Sequence, residues 1–257
     1  DRELAVGFLM SEGVISTARD LVAVEPGRSS DPAARNSVDV TLAPGIEPEG
    51  DFSRHFSATS ACGVCGRASI ESVRARAIPP RGDFAMTAAR LCDVPDRLVE
   101  AQPVFAHTGG LHAAALFDES GAIVVAREDI GRHNAVDKVI GWALLSGRVD
   151  LSVHGLLVSG RGGFEIVQKA VVAGIPLIAC VSAPSSLAVQ LAREAHSTLV
   201  GFLRGSRFVV YAGEDRLLLE QSPPSRADTE VGPYVVHEPR AADSRVSTPG
   251  SEERQNR

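Results

Sequence analysis

The residues best suited to covalent chemistry are Cys62 and Cys65, set in the loop Ala61-Cys-Gly-Val-Cys-Gly66. Glycines on both sides give such a loop mobility and backbone access, which suits a thiol that must meet two different partners. Arg54, His55 and Arg67 stand close by in sequence, and cations of that kind lower a thiol pKa and raise its thiolate fraction. Three chemistries fit the pair. A structural zinc site needs two more ligands, and no second CxxC or HxxxH occurs. A thioredoxin-like dithiol would open a helix after a strand, which Gly66-Arg-Ala-Ser69 matches only loosely. A nucleophilic or persulfide-carrying loop cysteine is the third. Cys92 and Cys180 fall in apolar contexts and read as small core residues.

Three other constellations suit anions. Arg127-Glu-Asp-Ile-Gly-Arg-His-Asn-Ala-Val-Asp-Lys138 bridges a strand and a helix N-terminus, and Ser159-Gly-Arg-Gly-Gly-Phe-Glu165 bridges the next such pair. Each sets an arginine, Arg132 or Arg161, among backbone N–H groups where a helix dipole favours negative charge. His133 stands in the same first turn as Arg132. Two such turns at consecutive strand-to-helix junctions lie at one end of a sheet. The bland alternative for each is helix capping with surface ion pairs such as Glu128–Arg132. The segment Gly201-Phe-Leu-Arg-Gly-Ser-Arg207 reads either as an ordinary hairpin or as a purine-and-phosphate site. In the second case Phe202 or Arg204 stacks and Arg207 pairs with an anion.

Elements able to position these groups follow from periodicity and turn residues. Residues 3–13 predict a short helix, and 21–24 and 38–42 predict strands. Residues 87–100 predict a helix kinked at Pro95. Residues 111–117 and 122–126 flank Asp118-Glu-Ser-Gly121, a hairpin pattern. Helices follow over 132–145, 164–173 and 185–195, interleaved with strands over 153–159 and 176–181. Strands over 198–203 and 207–211 close the series. Alternation of this kind implies an α/β layered domain with a mostly parallel sheet after the hairpin. Three regions are expected: 1–85 as a small N-terminal domain carrying the Cys62/Cys65 loop, 86–220 as the layered domain, and 221–257 as a disordered tail. The tail assignment rests on prolines scattered among charges and serines.

Composition bounds the function. The 257 residues carry 26 basic and 32 acidic side chains, a net charge of −6, which argues against broad charge-driven nucleic-acid binding. A hydrophobic content of 44% with 23% charged residues is that of a folded globular chain. Lys138 and Lys169 are the only lysines, so arginine supplies nearly all the cations, as rigid forks suited to phosphate. Four cysteines are too few for a disulfide scaffold. The uncharged run 170–192 is broken by Gly174, Pro176, Pro184, Ser185 and Ser186, so a strand and a helix are expected rather than a membrane span. The N-terminus has neither a basic n-region followed by an apolar stretch nor a starting Met, so a truncated, soluble protein of a reduced, cytoplasmic compartment is expected.

Taken together, Ala61–Gly66, His107-Thr-Gly-Gly-Leu-His-Ala-Ala-Ala115, Arg127–Lys138 and Val181-Ser-Ala-Pro-Ser-Ser-Leu-Ala188 resemble the formate dehydrogenase accessory sulfurtransferases, the FdhD family. The likeness spans roughly residues 1 to 212. It implies an α/β, cytidine-deaminase-like layered domain, a mixed sheet flanked by helices, with a small N-terminal α+β domain. Zinc deaminases carry H-x-E and P-C-x-x-C at two helix N-termini. Here His133-Asn-Ala135 and Gly160-Arg-Gly-Gly163 take those places, so no zinc is expected.

The resemblance implies a sulfur relay. A cysteine desulfurase passes persulfide sulfur to Cys62, assisted by Cys65, and the sulfur goes to a molybdenum (or tungsten) bis-guanine-dinucleotide cofactor destined for formate dehydrogenase. The family's cofactor-contacting segment falls on Phe202, Leu203, Arg204, Gly205, Ser206 and Arg207. Arg132, His133 and Arg161 are added from helix-terminus physics. A cofactor with two guanine arms fits a two-fold homodimer; neither nucleic acid nor membrane is expected as a partner. Departures from the family pattern are Gly163 in place of serine, His196 where glycine is common and Val209 where asparagine is frequent. The chain also begins inside the family's Glu-Leu-Ala-x-Gly-Phe motif, so an upstream strand is expected to be missing.

Overall fold

The computed structural model describes residues 1–27, 37–47, 83–147, 150–218 and, as backbone alone, 234–236. Cys62 and Cys65 lie outside the described residues.

The chain opens with α1 (Arg2–Ser11) and an antiparallel pair, β1 (Leu21–Pro26) and β2 (Val38–Leu42). After β3 (Met86–Thr87), α2 (Ala88–Glu100) begins where Thr87 Oγ1 accepts the Arg90 N–H at 3.3 Å. Pro95 lies inside this helix without ending it. A short helix, α3 (Pro103–Thr108), was not signalled by periodicity. The hairpin is β4 (His112–Phe117) and β5 (Ile123–Asp129), joined where Asp118 Oδ1 accepts the Ser120 and Ala122 N–H groups. Then follow α4 (Arg132–Ser146), β6 (Gly155–Val158), α5 (Phe164–Val172), β7 (Leu177–Cys180), α6 (Ser186–Glu194), β8 (Thr198–Arg204) and β9 (Arg207–Ala212). Each expected element from residue 87 onward is present. β10 (Leu217–Leu218) returns to pair with β3.

The main sheet has the order β11-β9-β8-β7-β6-β4-β5, where β11 is Tyr234–Val236. Strands β6, β7 and β8 run parallel; β4 is antiparallel to β6, and β9 to β8. The sheet is mixed and sandwiched between helices. Alternate residues face opposite layers, as the two-residue strand period requires. Ala114, Leu116, Leu156 and Ile178 pack with Val136, Ile140, Val167 and Leu191 of α4, α5 and α6. Ala113, Ala115, Leu157 and Ala179 pack with Leu91, Val94 and Leu98 of α2. β11 falls within the segment expected to be an unstructured tail, and at these three residues the expectation is corrected: Tyr-Val-Val is a β-forming triplet that finds a free sheet edge.

The first residues join the same core. Val6, Met10, Ile15 and Val24 lie in the cluster formed with α4 and α5. Glu3 makes a two-pronged ion pair with Arg127, at 2.6 and 2.7 Å. A Cβ on Gly7 would strike the Asp137 carbonyl, and one on Gly141 the Glu3 carbonyl, so α1 and α4 cross at backbone contact. Three residues of the run Glu3–Phe8 thereby have a role: Glu3 pairs, Gly7 permits the crossing, and the Phe8 ring lies 5.8 Å from Lys169 Nζ. Lys169 of α5 in turn meets Asp137 of α4 at 2.8 and 2.9 Å, with Ser11 Oγ donating to the same carboxylate. Burial pushes the Asp137 carboxyl up, against the pull of Lys169 and Ser11.

Candidate functional site

The strand directions bring the anion-suited groups to one end of the sheet. The C-termini of β6, β7 and β8 point there, as do the start of β4 at His112, the end of β5 at Asp129 and the start of β9 at Arg207. Hydrogen bonds join the loops at this end. Ser159 exchanges bonds with Ala113, its N–H to the carbonyl and its Oγ from the amide, both at 2.9 Å. The loop after β6 is bonded to the loop after β7: Gly162 N–H to Ala183 O at 3.2 Å, Ser185 N–H to Gly162 O at 3.0 Å and Ser182 N–H to Gly160 O at 3.3 Å. Phe202 N–H donates to Ser182 O, and Arg204 Nε to Val181 O at 3.0 Å, which adds the third loop.

Two helices present their N-termini to this surface without a side-chain cap. Gly131 precedes α4 and Gly163 precedes α5, and neither has a side-chain oxygen for the first-turn N–H groups; only their carbonyls accept, Gly131 from Ala135 and Gly163 from Ile166 and Val167. Serine in place of Gly163, the usual family residue, would be the N-cap. Asp129 Oδ1 shapes the approach to α4 by accepting the Gly131 N–H at 2.8 Å and the Asn134 amide at 3.0 Å. Its other oxygen meets Lys138 Nζ at 2.6 Å. Burial alone would raise the Asp129 carboxyl, but Lys138, Gly131 and Asn134 together hold it below its ordinary value.

The predicted cations sit around these termini. Arg132 Nε is buried with no hydrogen-bond partner among the described residues, and a Cβ on Gly160 would lie 3.3 Å from Arg132 Cδ and 3.4 Å from His112 Nδ1. Glu128 does not pair with Arg132; its carboxylate accepts the Val104 and Phe105 N–H groups at 3.0 and 2.6 Å and caps α3. His133 Nε2 stands 3.2 Å from Glu165 Oε2, linking the first turns of α4 and α5. Arg161 is exposed. His112 and Glu165 therefore belong with the site, although spacing singled out neither; both stand inside runs whose other residues did.

The segment Phe202–Arg207 holds a bulge and a tight turn. The β8–β9 register shifts between Gly201 and Arg204, Phe202 takes φ +53°, and the residue is 44% exposed. Leu203, expected beside it as a ligand contact, turns its side chain wholly into the core. Arg204 and Arg207 face each other across Gly205-Ser206, with Gly205 at φ +51° as the first residue of a two-residue hairpin loop demands. Beneath the loops lies Cys180, fully buried, its Sγ 3.1 Å from Ser182 O and 3.2 Å from Val200 O. Burial pushes this thiol up to about 12, so it is a core residue and not a nucleophile. Among the described residues no three His, Cys, Asp or Glu side chains gather as a metal ion would require.

The FdhD/NarQ family model matches residues 1–218. The chain belongs to the FdhD/NarQ family. Relatives include the sulfur carrier protein FdhD of Mycobacterium tuberculosis, 52% identical over 84% of this chain and 82% of that one. The protein of the same description from Streptomyces coelicolor is 54% identical over 85% and 80%. A crystal structure assigned as a formate dehydrogenase accessory protein from Desulfotalea psychrophila superposes with a TM-score of 0.64 at 26% identity, covering 84% of this chain and 79% of that one. In this FdhD/NarQ member the family's matched span ends where β10 closes on β3, so β11 lies beyond it.

Proposed function

We propose that this FdhD/NarQ member carries sulfur for formate dehydrogenase maturation. In this reading Cys62 takes persulfide sulfur from a cysteine desulfurase and delivers it to the molybdenum bis-guanine-dinucleotide cofactor, which is its substrate. The relatives' description as sulfur carriers supports the sulfur half of the reading. In the loading step the Cys62 thiolate attacks the outer sulfur of the desulfurase persulfide. An S–S bond forms to Cys62 as the one to the desulfurase cysteine breaks, and that cysteine leaves as thiolate. Cys65 assists by activating Cys62 or by displacing its sulfur through a transient disulfide.

For the cofactor half, one observation carries the argument: two uncapped helix N-termini, Arg132, Arg161 and the Phe202–Arg207 turn share one end of the sheet. Diphosphates suit the N–H groups and arginine forks, and the exposed Phe202 ring offers a stacking face for guanine. The layered unit is read as cytidine-deaminase-like, with the two helix starts that bind zinc in deaminases given over to anions. A two-fold homodimer would give each guanine arm such an end, in the cytoplasm where the relay's thiols stay reduced.

Peptide mass spectrometry after incubation with cysteine and a desulfurase tests the relay. One added sulfur on the Cys62 peptide, labile to reductant, is expected. Arg161→Ala and Arg207→Ala should each weaken guanosine diphosphate binding about tenfold while leaving that sulfur in place. An unmodified Cys62 peptide with intact nucleotide binding would mean a cofactor chaperone without covalent relay.

A further inference from the structure

Strand β9 would be an edge of the main sheet but for Tyr234–Val236, which pairs with it in parallel: Tyr234 opposite Phe208, Val235 opposite Val209 and Val236 opposite Val210. An edge of the composition Phe-Val-Val-Tyr presents unpaired N–H and C=O groups on an apolar strand, a template for any extended chain. The covering residues lie beyond the span matched by the family, separated from β10 by residues 219–233. Their sequence is suited to the role. Tyr-Val-Val is aromatic and β-branched, and Pro233 and Pro239 bound it, so a strand there stays short.

We propose that the open edge of β9 is a strand-acceptor site, and that the chain's own Tyr234–Val236 segment occupies it as a displaceable cover. Two features make the cover removable. It contributes only three residue pairs, and they are parallel, the weaker pairing per residue. Elements of so few contacts open locally at a small fraction of the global unfolding free energy. The ligand that fits the edge is an extended segment of alternating aromatic and β-branched residues, added by backbone hydrogen bonds with the side chains giving selectivity. The parallel register sets the start of the cover beside Phe208, next to Arg207 and the Gly205-Ser206 turn, so the cover flanks the proposed cofactor end of the sheet.

Hydrogen exchange of the peptide covering residues 207–212 tests this, in the full chain, in Val235→Pro and in a chain ended after Leu218. Proline fixes φ at about −65° and takes away the Val235 N–H, which disfavours a strand paired along β9, and it lies outside the family-matched span. Exchange in β9 should accelerate about tenfold or more in both variants. A synthetic peptide of residues 229–240 should restore protection to the shortened chain, and protection in the full chain should not depend on protein concentration. Unchanged exchange in Val235→Pro would overturn the proposal, even if the shortened chain failed to fold. Protection that rises with concentration and tracks a dimer mass would also overturn it, by assigning the cover to a second copy.

Discussion

Three helices begin at the same end of the sheet, and they begin differently. α6 is closed by its own sequence: Ser185 Oγ accepts the Ala188 N–H at 3.2 Å. α4 and α5 start from Gly131 and Gly163, which have no side chain to cap with. The uncapped pair is also held in place by the buried Asp137–Lys169 bridge between them and by α1 crossing α4. The difference is instructive. A terminus that satisfies its own amides needs no partner, whereas amides left for a ligand must be held still by something else, so the fixing moves into the core.

Lys169→Met strikes that fixing directly. It leaves Asp137 buried and unpaired and should cost about 3–5 kcal/mol in urea unfolding. Adding Asp137→Asn should recover part of the loss, because the stranded charge goes. Gly162→Ala acts on the loops instead. Its Cβ would lie 2.8 Å from Cys180 Sγ, and about 1–3 kcal/mol of destabilisation is expected. In a Cys180→Ala background the same change should cost less than half as much, which a thermal-melt double-mutant cycle would read.

The approach to α4 has a pH signature. Asp129 is held below its ordinary value of 3.8, so the stability it supplies is complete above that pH and fades as pH falls through the folded value. Asp129→Asn should lose about 1–2 kcal/mol at neutral pH, with the gap to the parent chain closing in acid. Last come the caps themselves. Ser185→Ala should cost about 1 kcal/mol, and Gly163→Ser should gain only a few tenths, read as shifts in the unfolding midpoint. A larger gain at Gly163 than loss at Ser185 would break the contrast between the helices.

Much of this was legible before any coordinates. Period-two and 3.6-residue patterns gave the strands and helices from residue 87, because those strands are short apolar runs between clear turn residues. The short helix α3 escaped, since Pro103–Thr108 buries no side chain and so leaves no apolar stripe; a carboxylate from β5 holds it instead. His196 stood out as an unusual residue where glycine is common. Its φ of +54°, just past the end of α6, supplies the reason: the position needs a left-handed turn. Leu203 turns its side chain inward while Phe202 and Arg204 face out, because the register shifts there at a bulge, and nothing in a strand's sequence announces a bulge.

The sequence by itself determined the residue types: a thiol pair at Cys62 and Cys65, arginines nearly to the exclusion of lysine, and glycines where two helices start. These are local facts, and local rules read them. Two consecutive strand-to-helix turns already set Arg132, His133 and Arg161 at one end of the sheet, and only the tertiary structure decided that the Phe202–Arg207 turn joins them there. It alone drew Glu128 away from Arg132 to cap α3, and set His112 and Glu165 beside the cations. Strand direction and register fix such meetings, and they follow from which apolar faces pack together across the whole chain rather than from any segment of it.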